Sequence, residues 1–154
     1  MRIASIENCV FSQNEVDFSG LLKFQSLSKV ITYMAKVMIF DHELMNVIAM
    51  EKMLVEAGYE VVTLTGPYGV LAKFDFEKPD ILLFNLDMPN FDTDVLLDTV
   101  IHAPQTRNMA VIALATGDAQ AVEEYCKSQN VHGFFMKDQG LDSLVAYLAN
   151  FIKP

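Results

Sequence analysis

The sequence predicts an α/β fold, a three-layer, doubly wound sheet of five parallel strands in the order 2-1-3-4-5 with helices on both faces. Three observations carry this. Apolar runs and helical patterns alternate five times from residue 36 onward. The run 81–84 (Ile-Leu-Leu-Phe) is apolar on both faces, as a central parallel strand must be. The chain has 154 residues, 52% of them hydrophobic and 20% charged, which suits one domain with a sizeable core and argues against disorder.

The elements follow in order. Residues 37–40 form the first apolar run. A helical pattern over 43–59 comes next, with Leu44, Val47, Ile48, Met50 and Leu54 expected inward and Gly58 as its stop. Strand two is expected over 61–64, a helix over 68–75, and the central strand over 81–84. A helix over 94–100, a strand over 111–114, a helix over 118–129, a strand over 133–136 and a final helix over 141–152 complete the pattern.

The first 35 residues read differently. They carry Arg2, Lys23 and Lys29 against Glu7, Glu15 and Asp17, so all the net negative charge lies from Lys36 onward. Leu21, Phe24, Leu27, Val30, Ile31 and Met34 recur at three- and four-residue spacing, which predicts an amphipathic helix over about 19–34. Three readings stand for this extension: a helix packed on the main domain or on a second copy, a partner-binding helix, or a start-site artefact ahead of Met34-Ala35-Lys36. The boundary falls near residue 34, which divides a 1–35 extension from a 36–154 domain.

Charge and cysteines exclude several classes. Twenty Asp and Glu against 11 Lys and Arg give a net charge of -9, which opposes nucleic acid and anionic lipid. No apolar run approaches the roughly 20 residues of a membrane span. Cys9 and Cys126 have no metal or redox spacing and read as small buried or half-buried thiols in a reducing compartment. With no apolar leader evident, the expected location is cytoplasmic.

In a sheet of this order, function sits at the carboxyl ends of the strands. The residues to weigh there are Asp41-His42-Glu43, Asn85 to Asp87, Ala115-Thr116 and Lys137. In order and spacing these strand ends resemble the receiver domain of two-component response regulators, a flavodoxin-like fold. Lys36-Val37-Met38-Ile39-Phe40-Asp41-His42-Glu43 resembles its first strand and acidic pair, and Ala57-Gly58-Tyr59-Glu60-Val61 its turn into strand two. The stretch from Lys78-Pro79-Asp80 through Asn85 to Met88-Pro89 resembles the phosphoacceptor strand. Pro104-Gln105-Thr106-Arg107 and the strand after it, then Gly133-Phe134-Phe135-Met136-Lys137, resemble strands four and five.

The resemblance implies an aspartate nucleophile, Mg²⁺, a hydroxyl and a lysine, and here the sequence departs from it. Asn85 stands at the nucleophile position, and a neutral amide cannot form the acyl phosphate. His42 stands at the second acidic, metal-ligating position, where imidazole suits Mg²⁺ poorly. Ala115 stands at the hydroxyl position, with Thr116 adjacent. Asp41 and Lys137 are retained, and Asp138 replaces the usual proline. No cofactor is therefore expected beyond weakly held Mg²⁺ at Asp41, and no catalytic residue. Asp41 and Lys137 are expected to form an ion pair with Asn85 bonded between them. Asp87, two residues on, is expected to point elsewhere. It is a minor candidate for a surrogate acceptor, and with Asp41 and His42 for an adventitious Zn²⁺ or Ni²⁺ site. His102 and His132 are scattered.

The functional expectation is a stand-alone pseudo-receiver that acts by phosphorylation-independent protein–protein interaction, with a histidine kinase or another regulator as partner, or as a homodimer. Phe134 lies at the family's switch aromatic, and the binding face is expected on parts of 118–129, Phe134 and 141–152. No output domain follows, so action through other proteins is expected unless the chain is one piece of a longer one. Two alternatives stay open: a receiver regulated by phosphoryl or metal through unusual residues, and a flavodoxin-like small-molecule module. The second lacks a glycine-rich phosphate loop after strand one.

Overall fold

The computed structural model describes residues 34–152. The helix expected over about 19–34 and Cys9 lie outside the described residues, apart from Met34 itself. Five strands, β1 (Lys36–Phe40), β2 (Glu60–Leu64), β3 (Ile81–Asn85), β4 (Ala110–Ala115) and β5 (Gly133–Met136), form one sheet in the order β2-β1-β3-β4-β5. Every pairing is parallel. The helices are α1 (Leu44–Glu56), α2 (Val70–Glu77), α3 (Thr93–His102), α4 (Ala119–Ser128) and α5 (Leu141–Leu148).

The period-two alternation of the strands divides the core between the two faces. Val37, Ile39, Ile81, Leu83, Ile112, Leu114 and Phe135 pack against Val47, Met50 and Leu54 of α1 and Leu144 and Leu148 of α5. Met38, Phe40, Leu82, Phe84 and Val111 pack on the other face against Val70 and Phe74 of α2 and Leu97 and Val100 of α3. Half-buried Tyr125 of α4 joins this second cluster. Strands β1 and β3 are buried throughout, whereas the edge strand β2 is half-buried at all five positions.

Helix ends follow local chemistry. Gly58, at φ 92°, closes α1: its N–H bonds to the carbonyl of Val55, and that of Tyr59 to Leu54. This six-to-one and five-to-two pair is the Schellman closure, which needs the left-handed residue that glycine adopts without strain. Asp92 and Asp118 cap α3 and α4 by accepting backbone N–H bonds. The final helix stops at Leu148, short of the expected 152, and Ala149–Phe151 tighten into a 3₁₀ turn.

One expectation about α1 is overturned. Leu44 and Ile48 are 62% and 48% exposed and do not face the core. Val47, Met50 and Leu54 are the buried residues of the helix, with half-buried Met53 packed beside them. At 100° per residue, the stripe of Leu44, Ile48 and Val55 lies about 100° around the helix from that buried centre. Apolar residues at three- and four-residue spacing fit both stripes, and the sheet selects one.

At the amino-terminal edge of the sheet, buried Lys36 pairs with Glu60 at 2.9 Å and Glu77 at 3.1 Å. Burial pulls the Lys36 ammonium down, but the two hydrogen-bonded carboxylates outweigh it and leave its pKa raised. The Lys36 hydrogen bond in turn holds Glu77 below its ordinary value. A carboxylate lowered in the folded state adds stability above its unfolded pKa, and that stability is lost as pH falls through the folded value. The Glu77→Gln variant is therefore expected to be less stable than the natural chain at neutral pH. Its melting temperature should also fall less steeply between about pH 5 and pH 3. Thermal melts at a series of pH values check this, and parallel slopes for the two proteins refute it.

Candidate functional site

Alternation along the strands also aims the polar residues at their carboxyl ends. Asp41, Asn85 and Lys137 continue the rows of Ile39, Leu83 and Phe135, the side of the sheet covered by α1 and α5. Ala115 continues the row of Val111, on the opposite side. The structure thus gathers Asp41, Asn85, Asp87, Thr116 and Lys137 from the carboxyl ends of four different strands, with His42 at the rim.

Asp41 and Asn85 are fully buried. Asp41 Oδ1 accepts hydrogen bonds from Asn85 Nδ2 at 2.8 Å and from the Glu43 N–H at 2.9 Å. His42 Nδ1 lies 3.4 Å from the same oxygen. On its other end, Asn85 Oδ1 accepts from Lys137 Nζ at 2.8 Å and from the Asp87 N–H at 3.0 Å. The primary amide is the side chain that fits here, because it joins a carboxylate that only accepts to an ammonium that only donates. Lys137 Nζ stands 3.9 Å from Asp41 Oδ2 and 3.9 Å from Asp87 Oδ2.

Asp87 does not point elsewhere, as its loop position suggested. Its Oδ2 accepts from the Thr116 N–H at 3.1 Å and from Thr116 Oγ1 at 3.0 Å. The tie was missed in the sequence, although a signal for it existed: β3 and β4 pair Asn85 with Leu114, so two residues further on Asp87 and Thr116 come level. Ala115 is buried and brings no hydroxyl. Phe134 is half-buried, and its N–H donates to Tyr147 Oη at 3.1 Å, a partner that sequence reasoning also missed. Burial raises the pKa of Tyr147, partly offset by that hydrogen bond from Phe134.

The arrangement limits the chemistry. The Asn85 amide offers no nucleophilic oxygen, and the Thr116 hydroxyl is committed to Asp87. Mg²⁺ needs several oxygen ligands in near-octahedral order. Asp41 offers one uncommitted carboxylate oxygen, with an ammonium 3.9 Å away and an imidazole beside its other oxygen. The Asp87 carboxylate accepts from Thr116 and, like Asp41, has the Lys137 ammonium 3.9 Å away. Among the described residues, no group of three or more His, Cys, Asp or Glu is placed to hold a metal ion. The residues do not fit Mg²⁺, and the Zn²⁺ or Ni²⁺ site considered from His42, Asp41 and Asp87 does not form. His102 and His132 lie elsewhere, bonded to the Asp98 carbonyl and to the Val111 N–H. Cys126 is buried, and burial raises its thiol pKa, which makes it a poor nucleophile.

Comparison with solved structures gives the same fold. The chemotaxis response regulator CheY4 of Vibrio cholerae is similar at 23% identity and a TM-score of 0.69, covering 77% of this chain and 99% of that one. The signal receiver domain of a response regulator from Bermanella marisrubri is similar at 14% identity and a TM-score of 0.68, covering 77% and 98%. NtrX from Brucella abortus, in complex with ADP, matches at 17% identity and a TM-score of 0.66, covering 77% of this chain and 26% of that one. No curated protein sequence matches. The family model described as the response regulator receiver domain matches residues 37–149. With that match over most of its length and the sheet order to go with it, the chain belongs to the response regulator receiver domain family, the receiving module of two-component signal transduction.

Proposed function

We propose that this domain is a pseudo-receiver: it takes no phosphoryl group, catalyses no reaction, and signals by binding a protein partner. The observation that carries the reading is Asn85, buried at the end of β3 and bonded to Asp41 on one side and Lys137 on the other. An aspartate there would set a second carboxylate against Asp41. The amide instead lets the lysine close the cluster with no anion from outside.

The Asp87–Thr116 tie supports the same reading. In the mechanism that the family resemblance implies, lysine and hydroxyl hold the phosphoryl oxygens. Here a carboxylate of the chain already takes the Thr116 hydroxyl and N–H, with Lys137 nearby. The loops after β3 and β4 are thus joined without a diffusing group, which favours one fixed state of the surface.

The partner face is proposed on α4, β5 and α5, around Phe134. A specific observation favours a second face. Of the large apolar side chains exposed among the described residues, Leu44, Met45, Ile48 and Val55 all stand on α1, whereas Leu141 is the one on α4, β5 or α5. A histidine kinase or another regulator suits either face. Binding of an added anion, nucleic acid or membrane is disfavoured by the net charge of -9.

Three outcomes test this. Intact-protein mass after exposure to acetyl phosphate and Mg²⁺ should show no phosphoryl gain for the natural chain, with Asn85→Asp run alongside to show what a carboxylate alone restores. A gain on the natural chain overturns the reading and directs mapping to Asp87 and Asp41. Urea unfolding should show that Lys137→Met costs about 2 kcal/mol, and that adding Asp41→Asn costs less than the sum of the two single changes, with coupling of about 1 kcal/mol. Additive costs mean the cluster is not the unit described. Partners captured by the natural chain should be lost by charge substitution on one face only, either Ile48→Glu or Leu141→Glu. Capture that survives both refutes the two face assignments together.

A further inference from the structure

On the α1 and α5 side of the polar cluster the structure holds a cavity of about 180 Å³. Its walls are Met50, Leu114, Phe135 and Leu144, all buried, and Asn46, Ala49 and Leu141 stand at its more exposed side. Asp41 and Lys137 lie at its polar end. Asp41 is fully buried, and its Oδ2 is the one buried side-chain polar atom among the described residues with no hydrogen-bond partner. A buried, unsatisfied carboxylate oxygen beside an apolar chamber is a recognition element as well as a cost.

We propose that this cavity is a binding site for a small monocyclic phenol or ring alcohol. Size selects the body: a cavity of about 150 Å³ lined by aliphatic and aromatic side chains accommodates one benzene ring, so 180 Å³ takes one ring with a short substituent. Charge selects the head. An ammonium would meet the Lys137 ammonium, and a carboxylate would meet Asp41. A neutral hydroxyl suits both, donating to Asp41 Oδ2 and accepting from Lys137 Nζ. Those atoms are 3.9 Å apart, and an oxygen about 2.8 Å from each closes the triangle with ordinary hydrogen-bond lengths. Asp87 and Thr116 do not line the site, and it goes beyond the partner-binding reading, which neither requires nor excludes it.

The test uses the full chain and phenol itself. Titration followed by amide NMR should move resonances of α1 and of the β5–α5 segment with a Kd of about 1 mM, within reach of so few ligand atoms. Toluene, of the same size but without the hydroxyl, should bind at least about tenfold more weakly, because it leaves Asp41 Oδ2 and Lys137 Nζ unbridged. Ala49→Phe changes an exposed residue of the cavity wall, so the fold should be kept while phenol binding is lost. Equal affinity for toluene overturns the recognition, and binding unchanged in Ala49→Phe overturns the location. The absence of any saturable shift, meaning that the space holds water only, overturns the site itself.

Discussion

A fully buried carboxylate, that of Asp41, is the constraint around which the carboxyl end of this sheet is built. An ionised group without solvent is costly unless it is hydrogen-bonded and faced by opposite charge. Three elements meet that requirement at once. The start of α1 supplies the Glu43 N–H, the end of β3 supplies the Asn85 amide, and the end of β5 supplies Lys137 through that amide. The positions of a helix, a central strand and an edge strand are thereby tied to one charge. The apolar rows beneath, Ile39, Leu83 and Phe135, place the three side chains on the same face of the sheet.

The same cluster links packing to signalling. In a receiver whose surface responds to phosphate, this end of the sheet must have two arrangements of nearly equal energy. A chain of contacts in which both ends of Asn85 are satisfied, and in which Asp87 holds Thr116, favours one arrangement over the other. On the reading proposed above, the domain exchanges a switch for a fixed surface.

Much of this was legible in the sequence. The sheet order and strand positions followed from alternation, and the residues at the strand ends followed from where the apolar runs stop. Asn85, Asp41 and Lys137 could be placed near one another because each ends a strand of known register. Leu44 and Ile48 were misread because the spacing of apolar residues on α1 serves two overlapping stripes, and only the position of the sheet decides between them. Asp87 was misread for a related reason: the direction of one loop side chain is set by what the neighbouring loop presents, and Thr116 is 29 residues away in the chain. The end of α5 was placed late because the helical pattern of 141–152 continues through residues that turn more tightly.

Gly133, at the start of β5, has a close neighbour. A Cβ built there would lie 2.5 Å from Tyr147 Oη and 2.8 Å from the Phe151 ring. Glycine lets those two aromatics lie directly on the strand, and Tyr147 Oη then takes the Phe134 N–H. Tyr147 and Phe151 pack on the core cluster that α5 covers, beside Ile112 of the neighbouring strand. A position without a side chain thus sets how closely the last helix can lie on the sheet, and even one added methyl group there would have to push its aromatics off the strand.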